Sequence, residues 1–347
     1  MKRWTSFWFA TTNRHSIGAF RIFLCAWFIG DFLDFLPALD VLLRRPLGLE
    51  VPSAGYRWLP PIIPASWEPA ETLAVLRGFA WILAPLALLG VGTRFSLLAL
   101  ALVNFALRSW HSSWVYVAHA SILPSLALFV LAFAPGVKAW SVDALLEAWR
   151  SRRRGEKFAW AERLAGRPAV VWPVHLILAA AALIYVSAGV AKLRWAGGDW
   201  LTGRTLQWYL QGTAGKKRLG DSTQFFVADR EAPAEARFRD PWGIERIANS
   251  TMSTPTGRAV GSSRALCVAL SWATLFLELG FALLFVLPRA GQYALLAGAA
   301  LFHAGIGALM GIDFGGWAVL FLAAVDWNAV IRRAGEFLPG LHASRIP

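Results

Sequence analysis

Residues 185–193 read YVSAGVAKL, and the lysine among them, Lys192, closes an apolar run that begins near Val170. An ammonium in that position has two readings. Its aliphatic stem can let the charge snorkel into lipid headgroups, or burial can strip its hydration and leave an amine able to act as a base. For a lone interfacial lysine, snorkelling is the commoner outcome. The other groups able to do chemistry are His111, His119, Tyr185, His303 and Asp313. Tyr185 precedes Lys192 by seven residues, which puts both on one helix face about 10 Å apart along the axis. Titratable side chains at membrane depth usually face the interior of a helix bundle and mark a site.

Membrane helices have to position these residues. The chain has 347 residues, of which 57% are hydrophobic and only 16% charged; soluble domains carry about 25% charged residues. This composition predicts an all-α, polytopic transmembrane helical bundle. A hydrocarbon core needs about 20 apolar residues per helix. The candidate spans are 17–39, 73–92, 95–109, 117–134, 170–190, 265–287, 290–310 and 315–330, about eight in all. The basic N-terminus runs into an apolar stretch too long for the core of a signal peptide, with no small-residue cleavage site behind it, and reads as a retained first helix.

Charge orients the spans. The net charge of +13 lies in loops beside apolar runs, which fits topology and anionic lipid contact rather than nucleic acid. Lys2, Arg3 and Arg14, the basic loop 137–168, and Arg332, Arg333 and Arg345 all fall on one side. The positive-inside rule makes that side the cytoplasm of a bacterial inner-membrane protein. Segment 193–264 is then an external loop, within which residues 201–210 (LTGRTLQWYL) read as an amphipathic interfacial helix. His111, His119, Lys192, His303 and Asp313 fall in one outer layer, with Tyr185 just beneath. Internal ion pairs are the plain reading of the charges in spans one and six, where Arg21 is matched with Glu278. Asp31 and Asp34 are placed towards the outer cavity. Trp110, Trp114, Tyr116 and Trp195 read as interfacial anchors, and His175 as structural. Cys25 and Cys267 lie in separate apolar runs, and no spacing of Cys or His predicts a metal site.

Two stretches resemble a known family. Ala188-Gly189-Val190-Ala191-Lys192-Leu193, followed by Asp199-Trp200-Leu201-Thr202-Gly203, is similar to the AG-x-x-KL…DW-x-x-G signature of vitamin K-dependent γ-carboxylases. The same signature marks the related bacterial horizontally transferred transmembrane (HTTM) domain. His119-Ala120-Ser121, followed about twenty residues on by Trp140-Ser141-Val142-Asp143-Ala144-Leu145-Leu146, resembles a carboxylase histidine and its WSVD-G-LL stretch. The resemblance runs from Arg21 to Trp317 and treats 1–347 as a single HTTM-like transmembrane domain. It implies that Lys192 is the base that deprotonates vitamin K hydroquinone or a related quinol, with His119 as its partner or as stabiliser of negative charge. A secreted or membrane peptide would be the substrate and CO2 would be added to it. The pocket would include His111, Tyr185, His303 and Asp313.

The departures from the family pattern are specific. Residues 194–198 lengthen the gap between Lys192 and Asp199, Ala118 stands where the carboxylases carry an amide, and the chain stops soon after the last span without their large external domain. Two readings of function therefore stand side by side. One is a quinol-dependent carboxylase-like enzyme, a lyase or oxidoreductase. The other is a non-enzymatic HTTM protein acting as partner or immunity factor for a secreted peptide. A transporter ranks third, because no repeated halves or paired broken helices occur in the sequence.

Overall fold

The computed structural model describes residues 2–12, 14–39, 69–114, 119–155, 169–211, 225–227, 237–239, 245–248, 254–312, 314–327, 329–330 and 333. Helices dominate. A short helix α1 (Lys2–Phe9) leads through strand β1 (Thr11–Thr12) into α2 (Arg14–Ala38). Then come α3 (Pro69–Leu89), α4 (Thr93–Trp114), α5 (His119–Phe133) and the short α6 (Val142–Arg153). Strand β2 (Ala169–Val170) pairs antiparallel with β1 and opens α7 (Trp172–Ala191), which a π-helical turn, Lys192–Ala196, joins to α8 (Gly197–Leu201). Next are α9 (Arg204–Leu210), α10 (Pro255–Gly261), α11 (Arg264–Gly280), α12 (Arg289–Met310) and α13 (Gly315–Phe321).

Local chemistry sets the ends of these helices. Helix α3 starts on Pro69 with Glu71 in its first turn, where a missing N–H costs nothing and a carboxylate meets the positive end of the helix dipole. It stops at Gly90, whose φ of +69° is open to glycine at little cost. The Ser141 hydroxyl accepts from the Ala144 N–H at 3.0 Å and caps α6, while Arg150, Arg152 and Arg153 crowd its last turn.

Among the described residues, five helical stretches are long and apolar enough to cross a membrane: His15–Pro37, Ala70–Leu89, Trp172–Leu201, Arg264–Leu283 and Arg289–Met310. Their outward faces carry large apolar side chains in the open: Leu183 is 70% exposed, Phe276 69% and Leu301 74%. Water would penalise such a surface, whereas lipid does not. The remaining predicted spans fall on α4, on α5 with its apolar part Ile122–Phe133, and on α13. Helix α13 has seven residues and gives way to a 3-10 turn, Leu322–Ala324, so span 315–330 does not run as one helix.

One predicted boundary changes, and one element is added. The fifth span does not end at residue 190 but continues through Lys192 to Leu201. Segment 193–264, expected to be a loop with one amphipathic helix, also holds a small antiparallel sheet of Phe225–Val227, Arg237–Arg239 and Glu245–Ala248 with the last strand in the centre. In the bundle, α2, α3, α4 and α5 pack in succession, α7 packs on α11, and α13 touches α2, α5, α7 and α12. One apolar core joins both groups and includes Phe28, Phe32, Leu128, Tyr185, Phe281 and Trp317.

Candidate functional site

Gly189 determines how Lys192 is placed. A Cβ there would lie 2.9 Å from the Leu279 Cδ2 and 3.2 Å from the Glu278 Cβ. Only a residue without a side chain lets α7 and α11 approach this closely. One turn further on, the Lys192 ammonium donates to Glu278 Oε1 at 2.5 Å. The Glu278 side chain is 4% exposed and that of Lys192 22%, so the pair is shielded on the carboxylate side and more open on the amine side. Lys192 Nζ also lies 5.0 Å from the centre of the Trp200 ring, a cation–π contact. The sequence expectation matched Glu278 with Arg21; that pairing is incorrect. Glu278 belongs to Lys192.

The lengthened gap after Lys192 has a structural counterpart. The Gly197 N–H donates to the Lys192 carbonyl, closing a π-helical turn, and Gly197 takes a φ of +44°. Such turns absorb extra residues inside helices and recur at functional sites. Beyond it, the DW-x-x-G stretch fastens the helix to α11. Trp200 Nε1 donates to the Ser271 carbonyl at 3.1 Å. Gly203, at φ +70°, sits where a Cβ would come within 2.5 Å of the Val268 nitrogen. Both halves of the motif therefore hold Lys192 against α11. The amphipathic stretch 201–210 is broken at 202–203 and is pinned to protein: Gln207 Nε2 donates to the Gly261 carbonyl and Arg264 Nη1 to Gln207 Oε1, each at 3.0 Å.

Beside the ion pair lies a second polar couple. Tyr185 Oη and His303 Nε2 are hydrogen-bonded at 2.6 Å, both buried. Tyr185 stacks on Phe281 with ring centres 4.0 Å apart and meets Trp317 edge-on at 5.2 Å. His303 packs on Phe314 and Trp317. Glu278 Oε2, although buried, accepts no hydrogen bond among the described residues. The result is an amine, a carboxylate, a phenol and an imidazole from three helices, walled by aromatic rings.

The structure does not bring every candidate to this group. His111 packs edge-on against Phe35, whose ring also lies 3.5 Å from the Arg108 guanidinium. Arg108 pairs with Asp31, so Asp31 is part of an ion pair between α2 and α4. This cluster draws on other helices than the Lys192 group. His119 opens α5, but its side chain lies outside the described residues, as does Asp313. His175 sits in an aromatic nest of Phe7, Trp8 and Phe285. Cys25 and Cys267 are separate buried thiols, and no cluster of three or more His, Cys, Asp or Glu able to hold a metal occurs among the described residues.

The WSVD stretch proves to be a structural corner. Arg21, fully buried, donates through Nη1 to the carbonyls of Ala87 and Leu88 and through Nη2 to those of Ala139 and Trp140, at 2.9–3.2 Å. Asp143 accepts from the Gly92 and Thr93 N–H groups and from Thr93 Oγ1, at 2.8–2.9 Å. Partial burial pushes this carboxyl up, but the hydrogen bonds from Thr93 and Gly92 and the charge of Lys138 outweigh it and hold the pKa below its usual value.

Sequence reasoning missed Glu278 as the partner of Lys192. The available signal was that an isolated carboxylate in an apolar span demands a cation; two cations were on offer, and spacing alone could not choose. The fold and its apolar surface define a multi-pass, α-helical membrane protein. No family model, curated protein or solved structure matches the chain.

Proposed function

We propose that this protein is a carboxylase-like enzyme of the bacterial inner membrane, with about eight spans and both termini in the cytoplasm. In this reading Lys192 is the base toward a lipid-soluble quinol, and His119 assists it. The observation that carries the reading is the shielded Lys192–Glu278 pair, walled by Trp200 and set beside Tyr185 and His303. In a dry site, an ion pair and a neutral amine–carboxylic acid pair differ by the position of one proton. That gives the amine a route to its basic form without exposure to water. A bound quinol would supply the electrons for oxygen-dependent base chemistry. The aromatic walls suit its ring, and the polar groups suit its hydroxyls. The substrate would be a peptide presented outside the membrane, and CO2 the group added.

Lipid extraction of the purified protein should yield a bound quinone. Lys192→Ala should abolish hydroquinone-dependent epoxide formation or CO2 incorporation; turnover that survives this change sinks the proposal. The second reading is a non-enzymatic HTTM protein acting as partner or immunity factor for a secreted peptide. The tight Gly189 contact favours it, because a lysine–glutamate bolt between two helices serves that purpose without chemistry. It requires that Lys192 and His119 tolerate replacement while a co-expressed peptide co-purifies.

A further inference from the structure

We infer that α6 is a membrane-surface helix that selects anionic phospholipid: its apolar face enters the lipid, and its arginines hold the headgroup phosphate. This holds whatever chemistry Lys192 performs. The buried side of α6 is a narrow stripe of Ala144, Ala148 and Ser151 at helical spacing. Leu145, Leu146 and Trp149 lie away from that stripe and are 43%, 44% and 44% exposed. A helix resting on protein with its outer face in water carries polar residues there. The first turn of α6 fixes its depth. Asp143 accepts from the Gly92 and Thr93 N–H groups, and its own N–H donates to the Gly90 carbonyl at 3.1 Å. Gly90 directly follows the membrane-length stretch Ala70–Leu89, so α6 begins where a span leaves the hydrocarbon. Apolar side chains are also open at this end of the neighbouring helices, Phe95 at the start of α4 and Phe133 at the end of α5. The apolar face of α6 thus continues a lipid-facing surface, which favours lipid over a protein as its cover.

Charge sets the kind of lipid. Both acids of α6 are already engaged: Asp143 holds the turn at Gly92 and Thr93, and Glu147 Oε1 accepts from Lys138 Nζ at 2.8 Å. Arg150, Arg152 and Arg153 are exposed and face outward with no counter-charge from their own helix. On the helical wheel Arg150 and Arg152 flank the apolar face, beside Leu146 and Leu145. The Arg153 guanidinium lies 3.8 Å from the centre of the Trp149 ring, and this stacking holds its fork over the same face. Such forks match phosphate oxygens in pairs, while the aliphatic stems lie along apolar surface. The helix dipole accounts for cations in the last turn, but not for the apolar residues between them.

The test is native mass spectrometry of the full-length chain, titrated with dioleoylphosphatidylglycerol or dioleoylphosphatidylcholine. At its tightest site the wild type should prefer the phosphatidylglycerol by about 100-fold, because each arginine near an anionic surface contributes about fivefold. The triple variant Arg150→Gln/Arg152→Gln/Arg153→Gln should bring the ratio close to one, with thermal unfolding in zwitterionic micelles unchanged. Arg289→Gln, an exposed cation on α12, should leave the preference intact. In a second arm the arginines stay in place: Leu146→p-benzoylphenylalanine, irradiated in cell membranes, should yield lipid adducts. Equal binding of the two lipids by the wild type, a preference that survives the triple substitution, or an equal loss with Arg289→Gln overturns the inference. A protein adduct at Leu146 in place of lipid also overturns it, because a protein partner then covers the face.

Discussion

The Arg21–Asp143 corner and the Lys192–Glu278 corner are built from the same ingredients: buried charge, close-packed glycines and a tryptophan. They differ in what is left over. Arg21 commits both terminal nitrogens to backbone carbonyls that have no helical partner, and Asp143 commits both oxygens to the turn at Gly92 and Thr93. The helix ends close on those side chains, and among the described residues the buried Arg21 Nε has no partner. Glu278 gives one oxygen to Lys192, and the other is buried with no hydrogen-bond partner among the described residues. Both corners carry prominent sequence motifs; among the described residues the first leaves a buried donor, Arg21 Nε, without a partner and the second a buried acceptor, Glu278 Oε2. What separates them is the partner: Arg21 and Asp143 satisfy backbone groups, whereas Lys192 and Glu278 satisfy each other.

The largest effect is expected at the joint. Arg21→Met strands four carbonyls, so the protein should lose about 4 kcal/mol or more and fail to survive detergent extraction as a monodisperse species. Gly90→Ala should cost about 3 kcal/mol in thermal unfolding. Its Cβ would sit 2.3 Å from both Arg21 Nη1 and Ser141 Cβ, in a left-handed conformation. Lys192→Met should also cost about 3 kcal/mol by leaving Glu278 buried and unpaired. Adding Glu278→Gln to it should recover most of that loss. Rescue of this kind is the sharpest way to separate the corners: Asp143→Asn should not rescue Arg21→Met, because the stranded partners there are backbone. Tyr185→Phe removes one bond to His303 and should cost about 1 kcal/mol while the stack on Phe281 persists. The smallest effect concerns Asp143. Its pKa is depressed in the fold, so its contribution is present above the ordinary carboxyl value of about 4 and is lost as pH falls through the folded value. Thermal melts of the wild type should drop over that acid range, and Asp143→Asn should flatten the slope.

Much of the helical framework was legible in the chain because membrane helices must bury every backbone polar group internally, which makes long apolar runs nearly unambiguous. The site was only half legible. Lys192, Tyr185 and His303 could be placed near one another from depth, and the structure brings Tyr185 and His303 into direct contact. His111 was placed at the right end of α4, yet its ring faces Phe35 and Arg108. Depth is a one-dimensional quantity read from residue count; rotation about the helix axis depends on which neighbour a helix packs against. The small antiparallel sheet at Phe225–Val227, Arg237–Arg239 and Glu245–Ala248 was missed because its strands are short and sit in a polar segment without alternating apolar periodicity.

The sequence by itself determined that this chain is a bundle of apolar helices with a lysine closing one of the apolar runs. Hydrophobic run length and residue type are local properties, and the bilayer reads them locally. Only the tertiary structure decided that the lysine answers to Glu278, 86 residues away, while Arg21 turns to backbone carbonyls. Both cations met the same sequence-level requirement. The contact of Gly189 with Leu279 and Glu278 decided between them, by fixing which faces of α7 and α11 meet.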